Sequence, residues 1–130
     1  MNWDGQNRRR FPRVVYPCLV KIDGKDGQSK VVLTHTENLS LGGAGIVIKQ
    51  EVKLFSDVVL EIDLLDAEDH VKITGKVVWV VRRKQDHPVK PLFYDVGIEF
   101  VKISDKHKEH LVCMLDRLIK NGATILKSPG

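Results

Sequence analysis

The stretch LFYDVGIEFVKISDKHKEHLVCMLDRLIKNG, residues 92–122, contains the change of period that decides the fold. In its first part Tyr94, Val96, Ile98 and Phe100 fall on one parity, the mark of a strand with one buried face. Beyond Ser104 the apolar residues move to Leu111, Val112, Leu115, Leu118 and Ile119. That spacing lays one stripe of a helix against a core. Ser104 is a suitable N-cap, and Asp105 suits the positive end of the helix dipole. Gly122 can end the helix in a left-handed conformation.

Upstream, only strand patterns occur. Val14, Tyr16, Cys18, Val20 and Ile22 share a parity, and SKVVLTHTENL (29–39) is rich in β-branched residues. SLGGAG interrupts that run before Ile46-Val47-Ile48 resumes it. In VVLEIDL (58–64), Val58, Leu60, Ile62 and Leu64 face one way, and Glu61 and Asp63 the other. In HVKITGKVVWVVRRK (70–84), Val71, Ile73, Val77, Trp79 and Val81 share a parity, which assigns Trp79 to the core. Gly75 marks a bulge or bend in that strand. Turn compositions at 24–27, 66–69 and 85–91 separate the runs. Six strands with short connections predict an antiparallel sheet, and closure into a small barrel hides its edges. The fold class is therefore mainly β, a six-stranded antiparallel β-barrel with a C-terminal α-helix over one open end or side. Residues 8–122 form one domain, preceded by a flexible segment (1–7) and followed by a tail (123–130).

With 42% hydrophobic and 29% charged residues, the 130-residue chain has the composition of a soluble globular domain that buries its own core. No run approaches the roughly 18–20 apolar residues of a membrane helix, and no apolar segment follows the N-terminal charges. Without a signal peptide, Cys18 and Cys113 are expected to be reduced, buried thiols in a cytoplasmic protein. The net charge of +4 favours anionic partners only weakly.

Two short constellations carry chemistry. RRRFPR, residues 8–13, holds four arginines in six positions. A guanidinium presents a rigid fork of donors to phosphate oxygens and to the O6/N7 edge of guanine, and its face stacks on bases. Several together suit a guanine nucleotide better than a bare phosphate. From this segment alone a solvated basic run is the favoured reading. ENLSLGGAGI, residues 37–46, places Asn38 and Ser40 on one face of an extended strand, able to bond a ligand while Gly43 makes room for it. A tight turn between strands needs the same glycines.

The pair, in this order and ahead of a barrel, resembles the PilZ domain family. The family's RxxxR motif reads here as Arg9 and Arg13, preceded by Arg8. Its (D/N)xSxxG motif reads as Asn38, Ser40 and Gly43, and YDVGIEF is similar to its last strand. The resemblance spans nearly the whole chain. It implies a six-stranded barrel with a following helix, and binding of the bacterial second messenger cyclic di-GMP, often as a stacked pair. The arginine segment would wrap over the ligand. The implied ligand set is Arg8, Arg9, Arg13, Asn38, Ser40 and Gly43, with Arg10, Gly42 and Trp79 as further candidates. Many members carry aspartate where this chain has Asn38, so weaker guanine capture is expected. The resemblance also implies control of motility, adhesion or biofilm formation.

No Ser-His-Asp set, P-loop or paired carboxylates emerge, so no enzymatic activity is expected. His107 and His110 share a helix face, but no zinc set and no cofactor is indicated. One domain carrying a ligand site predicts that an unknown partner protein reads the ligand-induced change. Two alternatives remain at this level. One is a PilZ-fold interaction adaptor with weak or no nucleotide binding. The other is a basic barrel binding nucleic acid, which the 6% aromatic content disfavours.

Overall fold

The computed structural model describes residues 12–24, 32–49, 52–66, 68–83 and 93–126. Among them, eight strands and one helix follow in the order β1 (Arg13–Val15), β2 (Leu19–Gly24), β3 (Val32–Leu39), β4 (Gly43–Ile48), β5 (Asp57–Asp63), β6 (Val71–Arg82), β7 (Tyr94–Ile103), α1 (Asp105–Lys120) and β8 (Ile125–Leu126). The sheet runs β2-β5-β6-β7-β4-β3, and β2 pairs back with β3, closing a six-stranded antiparallel barrel. β1 and β8 extend β3 at one end.

The run from Val14 to Ile22 is two strands, not one. Pro17 has no N–H for a ladder, and the chain steps sideways at Tyr16–Cys18. Both halves still pair with β3: β2 against residues 32–35, β1 against Asn38 and Leu39. The side chain of Thr36, fully buried, fills the step. Its Oγ1 donates to the Tyr16 carbonyl (2.6 Å) and accepts from the Cys18 N–H (3.0 Å). Burial pushes the Cys18 thiol up to about 11, which makes it a poor nucleophile.

Inward-facing residues of the six barrel strands form one core, including Val20, Ile46, Leu60, Ile62, Val71, Ile73, Val96 and Ile98. Helix α1 contributes Leu111, Met114 and Leu115, with Leu118 and Ile119 packed at the margin. Its N-cap is Ser104, whose Oγ accepts from the His107 N–H (3.2 Å). Gly122, at φ +87°, ends it, and the Ala123 N–H closes on the Leu118 carbonyl (2.9 Å).

Three further expectations need correction. Val112 is exposed, and Met114 takes the core position instead. Both cysteines are free, but only Cys18 is buried; Cys113 sits on the solvent side of α1. Trp79 does not belong to the core, because the parity of β6 changes midway. An irregularity does occur at Gly75, where the extra residue is Val101 of β7. A second follows, in which β6 advances from Val77 to Trp79 while β7 advances only from Ile98 to Gly97. The extra residue, Val78, turns Trp79 (37% exposed) and Val81 outward. Among the described residues, no helix is long and apolar enough to cross a membrane.

Candidate functional site

A matching bulge lies on β3. Thr34 and Thr36 face inward, since their partners Val20 and Ile46 are core residues. Between Thr36 and Asn38 the register slips: β3 advances two residues while β4 advances one, from Ile46 to Gly45. Glu37 is the extra residue. Without this bulge Asn38 would share the inward parity of Thr36; with it, Asn38 lies on the outer face.

The two bulges align a single row across the outside of the barrel: Val15 of β1, Asn38 of β3, Gly45 of β4, Gly97 of β7 and Trp79 of β6. The two central glycines make a floor. A Cβ on Gly45 would come within 2.6 Å of Asn38 Nδ2, so the Asn38 side chain lies across it. The Trp79 indole occupies the space where a Cβ on Gly97 would project. Asn38 and Trp79 thus lean over the floor from opposite sides. The Oδ1 of Asn38 is buried and has no hydrogen-bond partner among the described residues, which is uncommon for a buried polar atom.

The Ser40–Gly43 turn joins β3 to β4 just beyond Asn38 and Gly45 and flanks this row. Ser40 is buried, and its Oγ accepts from the N–H groups of Gly42 and Gly43 (3.1 Å each) and contacts the Gly43 carbonyl (3.2 Å). The Ser40 N–H also donates to that carbonyl (2.9 Å). Gly43 has no side chain because β7 passes against it: a Cβ there would overlap the Ile98 carbonyl oxygen. The Gly42 carbonyl accepts from the Phe100 N–H (2.9 Å). Ser40, Gly42 and Gly43 therefore build and seat the turn. Arg13, exposed on β1, shares the outer parity of Val15, and its neighbour Val14 stands opposite Leu39. The structure brings Arg13, Asn38, the Ser40–Gly43 turn and Trp79 to one face. Arg8, Arg9 and Arg10 lie outside the described residues.

One row further along the strands runs an ionic clamp. Arg83, just past β6, donates through Nε to Asp95 Oδ1 on β7 (2.9 Å) and through Nη2 to Glu37 Oε1 at the β3 bulge. The carboxylates of Asp95 and Glu37 hold the guanidinium above its already high pKa.

The PilZ domain family model matches residues 7–117. The chain belongs to the PilZ family. Solved structures share the fold at low sequence identity. Bacillus subtilis inhibitor of motility, MotI/DgrA, superposes with a TM-score of 0.69 at 19% identity, over 88% of this chain and 52% of its own. The PilZ domain of Escherichia coli YcgR, solved with cyclic di-GMP, gives 0.67 at 16%, over 88% and 93%. Klebsiella pneumoniae MrkH in its cyclic di-GMP complex gives 0.68 at 19%, over 88% and 53%. The chain thus spans about half the length of MotI/DgrA and MrkH. No curated protein sequence matches it significantly.

Gly45, Gly97, Glu37 and Arg83 of this PilZ domain belong to neither family motif. Glycines on neighbouring strands, in GAG and DVG, are a visible signal that something lies across the sheet. The clamp has no such signal, because Arg83 and Glu37 are far apart in the chain.

A second polar cluster lies away from this face, where α1 meets the β5–β6 connection. His110 pairs with Asp66 (2.7 Å), and His107 Nδ1 accepts from the Lys72 N–H (3.2 Å). Among the described residues no group of three or more His, Cys, Asp or Glu is arranged to hold a metal ion. Beside it, His70 bonds Glu61 (3.0 Å). That bond raises the His70 pKa from 6.5 and lowers that of Glu61 from 4.5. The histidine contribution is complete below 6.5 and is lost as pH rises through the raised value. The glutamate contribution is present above 4.5 and is lost as pH falls through the lowered value. His70→Gln is therefore expected to lower the urea midpoint modestly near pH 5.5, and to leave it unchanged near pH 9. Equal shifts at both values would contradict the pairing.

Proposed function

We propose that this protein is a non-enzymatic receptor for cyclic di-GMP, and that the outer face around Asn38 is its binding site. The observation that carries this reading is the buried, unpartnered Oδ1 of Asn38, whose side chain lies over Gly45 on the face that carries the Trp79 indole and Arg13. An acceptor in that position suits the N1–H and N2–H₂ donors of guanine. The glycines let the Asn38 amide and the Trp79 indole lie flat on the sheet, Trp79 offers a base a stacking surface, and Arg13 brings a fork for phosphate or for O6/N7. YcgR and MrkH, which share the fold, have been solved with cyclic di-GMP.

In this reading Arg8, Arg9 and Arg10 join Arg13 in closing over a ligand that carries two phosphates and two guanines. Ser40, Gly42 and Gly43 contribute by fixing the turn that seats Asn38. Binding orders the arginine segment and changes the surface offered to a partner protein. Calorimetric titration of the full chain with cyclic di-GMP, GMP and a short oligonucleotide tests it. Saturable binding of cyclic di-GMP with much weaker response to the other two is expected. Binding of the oligonucleotide alone, with steep salt dependence, would reject it.

Asn38 is a point of adjustment. A carboxylate accepts from two guanine donors and forms charge-assisted bonds about twice as strong as neutral ones. Asn38→Asp is expected to tighten cyclic di-GMP binding about 5-fold, the equivalent of roughly 1 kcal/mol. Weaker binding by the variant would show that Asn38 does not meet the guanine edge.

A further inference from the structure

We propose that Arg83 is a positioning residue of the nucleotide site, acting through Glu37 to hold Asn38 over the glycine floor. The inference rests on the receptor reading for its ligand readout only.

Three observations lead to it. First, Asn38 reaches the outer face solely because β3 bulges at Glu37. A bulge residue lacks a regular ladder partner and is the least constrained point of its strand. Second, the side chain of that residue is tethered from a distance. Arg83 leaves the end of β6, bonds Asp95 on β7 and reaches Glu37 on β3, passing across β4. In the register this bridge crosses at Val47, the partner of both His35 and Asp95. Val47 is two residues from Gly45, about 7 Å along the strand. The clamp therefore borders the floor without lying on it. Third, the guanidinium is the one group that can do this. Its Nε and Nη2 point at two different carboxylates at once, which a lysine ammonium on a single stem does not reproduce in the same geometry.

The three side chains are about a third to two-fifths exposed, at 42% for Arg83, 43% for Glu37 and 29% for Asp95. Surface pairs of this kind add little to global stability. Their effect is local: the tether fixes the bulge, and the bulge fixes the direction of Asn38.

The test uses the full chain and two readouts. In the ligand-free protein, the side-chain amide resonances of Asn38 are followed by NMR. They are expected to be displaced from the position of a solvent-exposed amide in the wild type, and to move toward it in both Arg83→Ala and Glu37→Gln, with the melting temperature nearly unchanged. In calorimetric titration with cyclic di-GMP, each variant is expected to lose about 10-fold in affinity. The double variant should lose no more than either single one, because the two residues act as one unit. Arg83→Lys should recover only part of the loss. Unmoved Asn38 resonances would overturn the proposal, as would wild-type affinity in Arg83→Ala or losses that multiply in the double variant. A wild-type protein that binds no cyclic di-GMP defeats the receptor reading instead, and the NMR readout then decides the positioning role alone.

Discussion

Arg13→Ala is expected to lower the affinity for cyclic di-GMP about 100-fold. Arg13 is the described member of the arginine motif. It stands exposed on β1, beside the Ser40–Gly43 turn and on the same face as Asn38. A guanidinium facing phosphate or guanine makes two charge-assisted hydrogen bonds, each contributing about 1.5–3 kcal/mol. Losing a pair of about 3 kcal/mol corresponds to roughly two decades in the dissociation constant. The fold should be indifferent, because the side chain is exposed and the β1 ladder uses backbone groups. Calorimetry of the variant, with its melting temperature as a control, checks this. Wild-type affinity would remove Arg13 from the site. Parallel loss in Arg9→Ala would extend the assignment to the rest of the motif.

Gly43→Ala is expected to act on the fold rather than on the ligand. A Cβ at this position would overlap the Ile98 carbonyl oxygen, a backbone atom within the β4–β7 ladder. Relief requires the two strands to separate at Gly43↔Glu99 and Ala44↔Ile98, near the bond from the Phe100 N–H to Gly42. Overpacking costs about 1–3 kcal/mol, and the upper end is expected where no side chain can yield. For a domain of this size that is a fall of roughly 10 °C in melting temperature. Thermal and urea denaturation check it. If the glycine instead served only to admit ligand, the alanine variant would keep wild-type stability and lose binding alone.

Both predictions turn on which face a residue occupies, and here sequence and structure part company. The alternation in Val58–Leu64 and Tyr94–Phe100, and the helical spacing after Ser104, reach the structure nearly unchanged. These segments are regular, so a period read locally remains true along their length. Ser104 and Gly122 also keep their capping roles, which depend only on neighbouring backbone groups. The two motifs are legible for the same reason: each is short and contiguous.

What alternation could not foresee is the placement of Trp79 and Val81. A bulge adds one residue to one strand and reverses every side chain beyond it. Neither Glu37 nor Val78 carries a glycine or proline to announce it. Only the pairing of β3 with β4, and of β6 with β7, decides where the extra residue sits. Asn38 would likewise face the core by simple counting from Thr36. The Arg83–Glu37 bond joins residues 46 positions apart, a distance over which sequence pattern holds no information.

The sequence by itself therefore determined the barrel, the helix with its caps and the family motifs. Each of these rests on local periodicity or on contiguous residues. Tertiary structure alone decided that Asn38 and Trp79 share the outer face, that their side chains lie over Gly45 and Gly97, and that Gly43 serves β7. The physical reason is that strand pairing is non-local. The side to which a residue points depends on the register of its neighbours, and two unmarked bulges set that register here.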